Sequence, residues 1–241
     1  MQALRSSFAK VQRQARTFGL HIDYVRTAPG SDATLYSPLF SPWQSAAWRE
    51  KLRADDDRSV VSLDRKYILY QMLSQSVLRC SGSVAECGVY LGGTAYIFAT
   101  VLQDKNRTLH LFDTFAGMPE TNPEKDRHKK GDFADTSLES VQEYLDAFPF
   151  VRLHPGHIPE TLDAVAGESF AFVHIDLDIY DAILSATKFF YPRTPSGGVI
   201  VYDDYGFPSC PGALEAVDEF YADKPEVPIV LPTGQCVIWK L

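Results

Sequence analysis

Apolar positions along this chain follow first a helical rhythm and then an alternation of strand and helix. Leu4, Phe8, Val11, Ala15 and Phe18 are spaced 4, 3, 4 and 3, which places them on one face of a helix. Arg5, Lys10, Arg13 and Arg16 take the other face, with no acid before Asp23. A narrow apolar stripe without Trp suits a helix packed on its own domain or on a second subunit better than one lying on a membrane. Residues 27–58 read as irregular, with Pro29, Gly30, Pro38 and Pro42, the aromatics Tyr36, Phe40, Trp43 and Trp48, and the acidic run Asp55–Asp57. Such a stretch is expected to be a lid or binding loop, or a connection whose aromatics cover the core.

From Ser62 to Leu78 the helical spacing resumes through Leu63, Tyr67, Tyr70, Leu73 and Val77. Strands are then expected at Val84–Val89, Leu109–Phe112, Val151–Leu153, Phe170–Ile175, Val199–Tyr202, Val227–Leu231 and Gln235–Lys240. Helices fall between them at Thr94–Leu102, Thr136–Phe148, Asp181–Phe190 and Ala213–Tyr221. A capping box of Thr136 and Glu139 opens the second of these. The alternation predicts a doubly wound, mostly parallel seven-stranded sheet. A final hairpin through Pro232–Gly234 would supply an antiparallel last strand. The organisation is an N-terminal extension over 1–58 and one α/β domain over 59–241.

Two of the apolar runs end abruptly in acid: FAFVHIDLDIY gives Asp176 and Asp178, and GGVIVYDDYG gives Asp203 and Asp204. Ligands of open α/β sheets bind outside the carboxyl ends of the strands. Four carboxylates there repel one another and raise one another's pKa. A hard cation such as Mg²⁺, which takes oxygen ligands and keeps positions open for water or substrate, resolves the conflict. The alternative is helix capping by Asp178, Asp181 and Asp204, which needs fewer acids than are present. Three histidines near strand ends, His154, His157 and His174, lack metal-ligand spacing and read as structural or acceptor-facing.

The first strand runs into Glu86, Gly88, Gly92 and Gly93 ahead of a helix. Glycines at such a turn admit a ligand to the backbone, and the helix N-terminus offers free N–H groups. The spacing is not that of the dinucleotide fingerprint. Glu86 would repel a phosphate and suits a cation, such as the α-amino group of S-adenosylmethionine (SAM). Asp113, at the end of the second strand, is placed to accept from the ribose hydroxyls of an adenosine cofactor.

The chain has 241 residues, 45% hydrophobic and 22% charged, enough for one sizeable core. A net charge of -8 disfavours a nucleic-acid groove. Cys80, Cys87, Cys210 and Cys236 show no zinc spacing. With no secretory leader apparent, they are expected to be reduced thiols of a cytoplasmic protein. No apolar stretch reaches the ~20 residues of a membrane-spanning helix.

SVVSLDRKYILY, ECGVYLGGT, DTFAGMP, GDFADTSLESV, HIDLDIYDA and GGVIVYDDYG, in this order, resemble the macrocin-type (TylF/MycF/NovP) O-methyltransferases over roughly residues 59–241. The pair DxD-x-Y and DDYG is the most specific part. The resemblance implies a Rossmann-like class I methyltransferase fold with an N-terminal helical lid, SAM and Mg²⁺ as cofactors, and a homo-oligomer. It implies Asp176, Asp203 and Asp204 as metal ligands and Asp178 as general base. Cofactor contacts would come from Glu86, Gly88, Gly92 and Asp113, with Ser62 near the methionine end and Ser137 near the adenine. Leu177, the pair Asp181-Ala182 and His157 depart from the family's usual residues, so the acceptor's shape is left open.

The expected reaction moves the methyl group of SAM to a hydroxyl of a sugar or other polyol-bearing secondary metabolite. Vicinal oxygens on a metal would acidify the reacting hydroxyl, and Asp178 would take its proton if the extended backbone persists beyond Asp176. Three other readings compete: transfer to a catechol-like diol, a SAM-fold binding subunit without chemistry, and an NAD-dependent oxidoreductase. Intact acids argue against the second, and Glu86 with the missing fingerprint argues against the third.

Overall fold

A computed structural model describes residues 41–241. The N-terminal helix expected through Leu4–Phe18, and Tyr36 and Phe40, lie outside the described residues. Seven strands form one sheet: β1 (Ser83–Cys87), β2 (Leu109–Asp113), β3 (Val151–Pro155), β4 (Phe170–Ile175), β5 (Val199–Tyr202), β6 (Ile229–Val230) and β7 (Cys236–Trp239). Their spatial order is β3-β2-β1-β4-β5-β7-β6. The first five pair in parallel, and β7 runs antiparallel to both β5 and β6. The expected antiparallel last strand is present. The predicted strand over Val227–Leu231 shrinks to the two exposed residues Ile229–Val230, which among the described residues pair with β7 alone.

Alternation along the strands sends side chains into two cores. Val84, Leu109, Leu111, Phe172, Val199 and Val201 pack with Leu69, Leu73 and Val77 of α2 (Leu63–Arg79) and Phe98 of α3 (Gly93–Leu102). Ala85, Phe112, Val173, Ile200 and Tyr202 face α5 (Tyr180–Phe190) and α6 (Pro211–Tyr221). Each fully buried Leu or Phe contributes about 1.5–3 kcal/mol relative to exposure, so both faces must be covered.

The irregular reading of 27–58 is corrected where the structure describes it. Ala46–Lys51 is a short helix, α1, and Pro42–Gln44 a 3₁₀ turn. Trp48 meets Tyr67 and Tyr70 of α2 edge-on at 4.7 and 5.2 Å between ring centres. Aromatic pairing thus uses Trp48 as cover for α2.

The capping box is corrected as well. Helix α4 is Leu138–Tyr144, and its cap is Ser137, whose hydroxyl accepts from Ser140 N–H at 3.1 Å. Thr136 instead donates to the carbonyl of Tyr90, which ties the loop before α4 to the glycine turn.

Candidate active site

The strand order reverses between β1 and β4, and the crevice at their carboxyl ends is where such sheets bind ligands. A cleft of about 350 Å³ opens there. Glu86, Gly88, Asp113, Asp176, Asp178 and Asp204 line it. Asp203 sits buried behind them at the end of β5.

Parallel register sets Glu86 of β1 beside His174 of β4, on the face covered by α3. Glu86 Oε1 meets His174 Nδ1 at 3.1 Å, and Phe98 packs edge-on to the imidazole. On its other side, His174 Nε2 lies 3.5 Å from Asp203 Oδ1, an ion-pair distance and longer than a good hydrogen bond. Burial would lower the His174 pKa, but Asp203, then Glu86 and the charge of Asp176, raise it to about 10. The ring is therefore a buried cation between two acids. Asp203 is bound further by Arg65 of α2 and by Gln235 Nε2 at 2.7 Å. Burial alone would raise Asp203, yet His174, Arg65 and Gln235 hold it below the usual carboxylate range.

Asp176 and Asp204 lack that compensation. Burial pushes both well above the ordinary value, and neighbouring carboxylates add to it, Asp203 for Asp176 and Asp178 for Asp204. Five acids (Glu86, Asp176, Asp178, Asp203 and Asp204) meet two cations, Arg65 and His174. The surplus of carboxyl groups over cations fits a hard dication, which would keep Asp176 and Asp204 ionised as oxygen ligands. The convergence differs from the expected triad. His174, Asp176 and Asp203 bring ligand atoms within 4.8 Å of one another, Asp204 stands outside that group, and both Asp203 oxygens already have protein partners. Asp203 must exchange one of them to serve a metal.

Asp178 faces the cleft by a different route from the one expected. Strand β4 stops at Ile175, and Asp178 adopts a left-handed φ of 61°, a conformation that costs a non-glycine residue free energy and clusters at functional sites. Its N–H donates to Asp204 Oδ2 at 2.9 Å, which holds the turn. Its carboxylate accepts from Cys210 Sγ at 3.3 Å and lies 3.5 Å from His128 Nε2. Burial raises its pKa, with His128 and Cys210 opposing. Neither Asp178 nor Asp181 caps α5. That role falls to Asp126, whose Oδ1 accepts from Tyr180 N–H at 2.9 Å.

Gly88 has φ 90°, and a Cβ there would lie 1.8 Å from the carbonyl oxygen of Asp176. Only glycine lets the β1 and β4 ends come this close. Glu86 Oε2 is buried without a hydrogen-bond partner, which fits an ammonium group brought by a ligand. Asp113 is largely engaged by the backbone: Oδ2 accepts from Val89 and Tyr90 N–H at 2.6 and 2.9 Å, and Oδ1 from Phe115 N–H at 2.7 Å. Thr114 spends its hydroxyl proton on the Gly117 carbonyl at 2.7 Å. One acceptor position on Oδ1 therefore stays open for a ribose hydroxyl.

The remaining expected contacts lie outside the cleft lining. Gly92, at φ 87°, begins α3 and faces Val141 and Tyr144. Ser62 is exposed at the start of α2, donates to Asp64 and accepts from Arg65 Nε at 3.1 Å. Ser137 caps α4. His157 lines the cleft, while His154 hydrogen-bonds His110 at 2.9 Å and stacks on Phe112.

Arg65, His128, Cys210 and Gln235 were not singled out as site residues by the sequence. The aspartates they meet, Asp203 for Arg65 and Gln235 and Asp178 for His128 and Cys210, lie 32 or more positions away, and no local pattern marks such pairs. The one signal was that Arg65 stands inside SLDRKYILY.

A parallel sheet of this order, with a glycine turn after β1 and an acid closing β2, defines a Rossmann-like nucleoside-binding protein. The chain belongs to the macrocin O-methyltransferase (TylF) family, whose model matches residues 60–240. This is a family of SAM-dependent O-methyltransferases. The chain is 30% identical over 177 residues to mycinamicin III 3''-O-methyltransferase of Micromonospora griseorubida, covering 66% of this chain and 68% of that protein. It is 27% identical over 173 residues to 8-demethyl-8-(2,3-dimethoxy-alpha-L-rhamnosyl)-tetracenomycin-C 4'-O-methyltransferase of Streptomyces olivaceus, covering 66% of each. The solved structure of the O-methyltransferase NovP shares the fold, with TM-score 0.69 and 24% identity over 77% of this chain and 83% of that one. Among the described residues, no helix is long and apolar enough to cross a membrane.

Proposed function

We propose that the protein is a Mg²⁺-dependent methyltransferase acting on a sugar hydroxyl, or another polyol hydroxyl, of a secondary metabolite. The observation that carries this reading is the surplus of buried and half-buried acid at the ends of β4 and β5, facing Glu86, Gly88 and Asp113 across one cleft. The relatives' names support the acceptor class, since the Streptomyces olivaceus protein is named for methylation of a rhamnosyl compound. SAM supplies the methyl group. Mg²⁺, held by Asp176, Asp203 and Asp204, would supply Lewis acidity toward neighbouring hydroxyls.

The chain's own residues do the rest. Glu86 Oε2 accepts from the ammonium of the methionine end, and Asp113 Oδ1 accepts from a ribose hydroxyl. Gly88 keeps the backbone of β1 low enough for the cofactor to lie across the strand ends. Asp178 receives the acceptor proton, a transfer worth typically 10²–10⁴-fold in rate. Holding the acceptor oxygen in line with the methyl group supplies the remaining advantage by orientation.

The test is transfer of labelled methyl from SAM to a panel of deoxysugar glycosides and catechols, with Mg²⁺ or with EDTA. Labelling of the glycosides, lost in EDTA and restored by Mg²⁺, is expected. Undiminished labelling in EDTA would remove the metal, and labelling of catechols alone would change the acceptor class. The proposed cytoplasmic homo-oligomer is checked separately by light scattering and cell fractionation.

A further inference from the structure

Apart from the all-oxygen cluster, the cleft holds a second convergence of potential ligands of different chemistry. His128, Asp178 and Cys210 each offer one atom to a common point and all three line the cleft. Asp178 Oδ1, His128 Nε2 and Cys210 Sγ form a triangle with edges of 3.3 Å (O to S), 3.5 Å (N to O) and 3.7 Å (N to S). Zn–S of about 2.3 Å, with Zn–N and Zn–O of about 2.0–2.2 Å, at tetrahedral angles puts such ligand atoms about 3.4–3.6 Å apart. The spacing is that of three corners of a zinc tetrahedron.

A second feature is independent of the triangle. His128 Nδ1 lies 3.1 Å from Asp132 Oδ2, so in the neutral ring that carboxylate holds the remaining proton on Nδ1 and leaves Nε2, beside Asp178 and Cys210, to bind a metal. Carboxylate support of this kind is the usual outer contact of a metal-binding histidine. Cys210 precedes α6; burial, with Asp204 and Asp178 beside it, raises the thiol's pKa, so the cation itself must displace the thiol proton. We propose that His128, Asp178 and Cys210 form a site for a thiophilic divalent cation of the Zn²⁺ type, distinct from the Asp176, Asp203 and Asp204 set proposed for Mg²⁺.

Thiolate and imidazole donors select Zn²⁺ over Mg²⁺, which prefers oxygen. On binding, the Cys210 thiol releases its proton to solvent and Asp178 is drawn into the coordination sphere. A base so engaged cannot take a proton from an acceptor, so Zn²⁺ should inhibit methyl transfer even with Mg²⁺ saturating. This consequence, though not the site, rests on the proposed role of Asp178.

The test uses the full chain in excess Mg²⁺, titrated with Co²⁺ as a spectroscopic probe and then with Zn²⁺ against a chromogenic chelator. A thiolate-to-cobalt charge-transfer band that saturates at one equivalent is expected. Cys210→Ser should abolish it and Cys80→Ser should leave it. Asp132→Asn should weaken Zn²⁺ binding about 10–100-fold, and His128→Gln at least as much, in variants whose melting temperatures match the parent. No band in the parent, or a band that survives Cys210→Ser, would overturn the site. Binding is read without turnover, so a parent that binds Zn²⁺ at Cys210 yet keeps its full rate would refute Asp178 as base and leave the site standing.

Discussion

The two ends of this one sheet handle buried charge in opposite ways. At the amino ends of β1 and β2, Arg107 donates to the carbonyls of Val77, Cys80 and Gly82 at 3.1, 2.9 and 2.7 Å, closing the link from α2 to β1. On the same side of the sheet, Glu226 accepts from Tyr191 Oη at 2.7 Å and Lys240 Nζ at 2.5 Å. Donors and acceptors match there. At the carboxyl ends, Glu86 Oε2 and His174 Nε2 lack hydrogen-bond partners, carboxylates outnumber cations, and Tyr90, Phe115 and Asp178 take left-handed backbone conformations. Buried groups left incomplete are costly. They persist where a ligand completes them, whereas a polar cluster that serves only the fold is already satisfied.

Substitutions sharpen this contrast. The largest effect is expected for Asp178→Asn: turnover falls about 10²–10⁴-fold, while S-adenosylhomocysteine still raises the melting temperature. Full turnover would return Asp178 to a structural part. Gly88→Ala comes next. Its Cβ collides with the Asp176 carbonyl and the residue must hold φ 90°, so a loss of about 2–4 kcal/mol in urea unfolding is expected from overpacking and left-handed strain together, along with loss of the ligand-induced shift.

At the amino ends, Arg107→Met should remove about 1–3 kcal/mol of stability, by leaving partly buried carbonyls unpaired, without changing S-adenosylhomocysteine affinity. A change in affinity would show that the two ends are coupled. The smallest effect is a change of pH dependence. Burial would raise Glu226, but Lys240 and Tyr191 bring its pKa from 4.5 down to about 2. Its stabilisation is therefore complete above pH 4.5 and disappears as the pH falls toward 2. Glu226→Gln should be less stable than the parent at neutral pH and should lose less stability across that acid window. Parallel curves of denaturation midpoint against pH would refute this.

Local rhythm carried most of the architecture. Strands Phe170–Ile175 and Val199–Tyr202 fall where the apolar runs place them, because a strand buried on both faces is near-continuously apolar, His174 being the exception that serves the site. Boundaries failed where a distant partner decided them. The edge strand β6 kept the two residues that pair with β7, Ser137 took the cap because Tyr90 claimed Thr136, and α1 formed because Trp48 found Tyr67 and Tyr70.

The site divides along the same line. Acids at the ends of apolar runs announce a cleft from sequence alone, because strand direction and topology fix where those ends lie. The partners of each acid were decided by the tertiary structure. Arg65 reaches Asp203 across 138 positions, His174 becomes a cation only between Glu86 and Asp203, and Asp178 turns left-handed beneath Asp204. A residue's type and spacing set its chemistry and its element. Its charge state, its free lone pairs and the atoms it can reach depend on groups that only folding brings together.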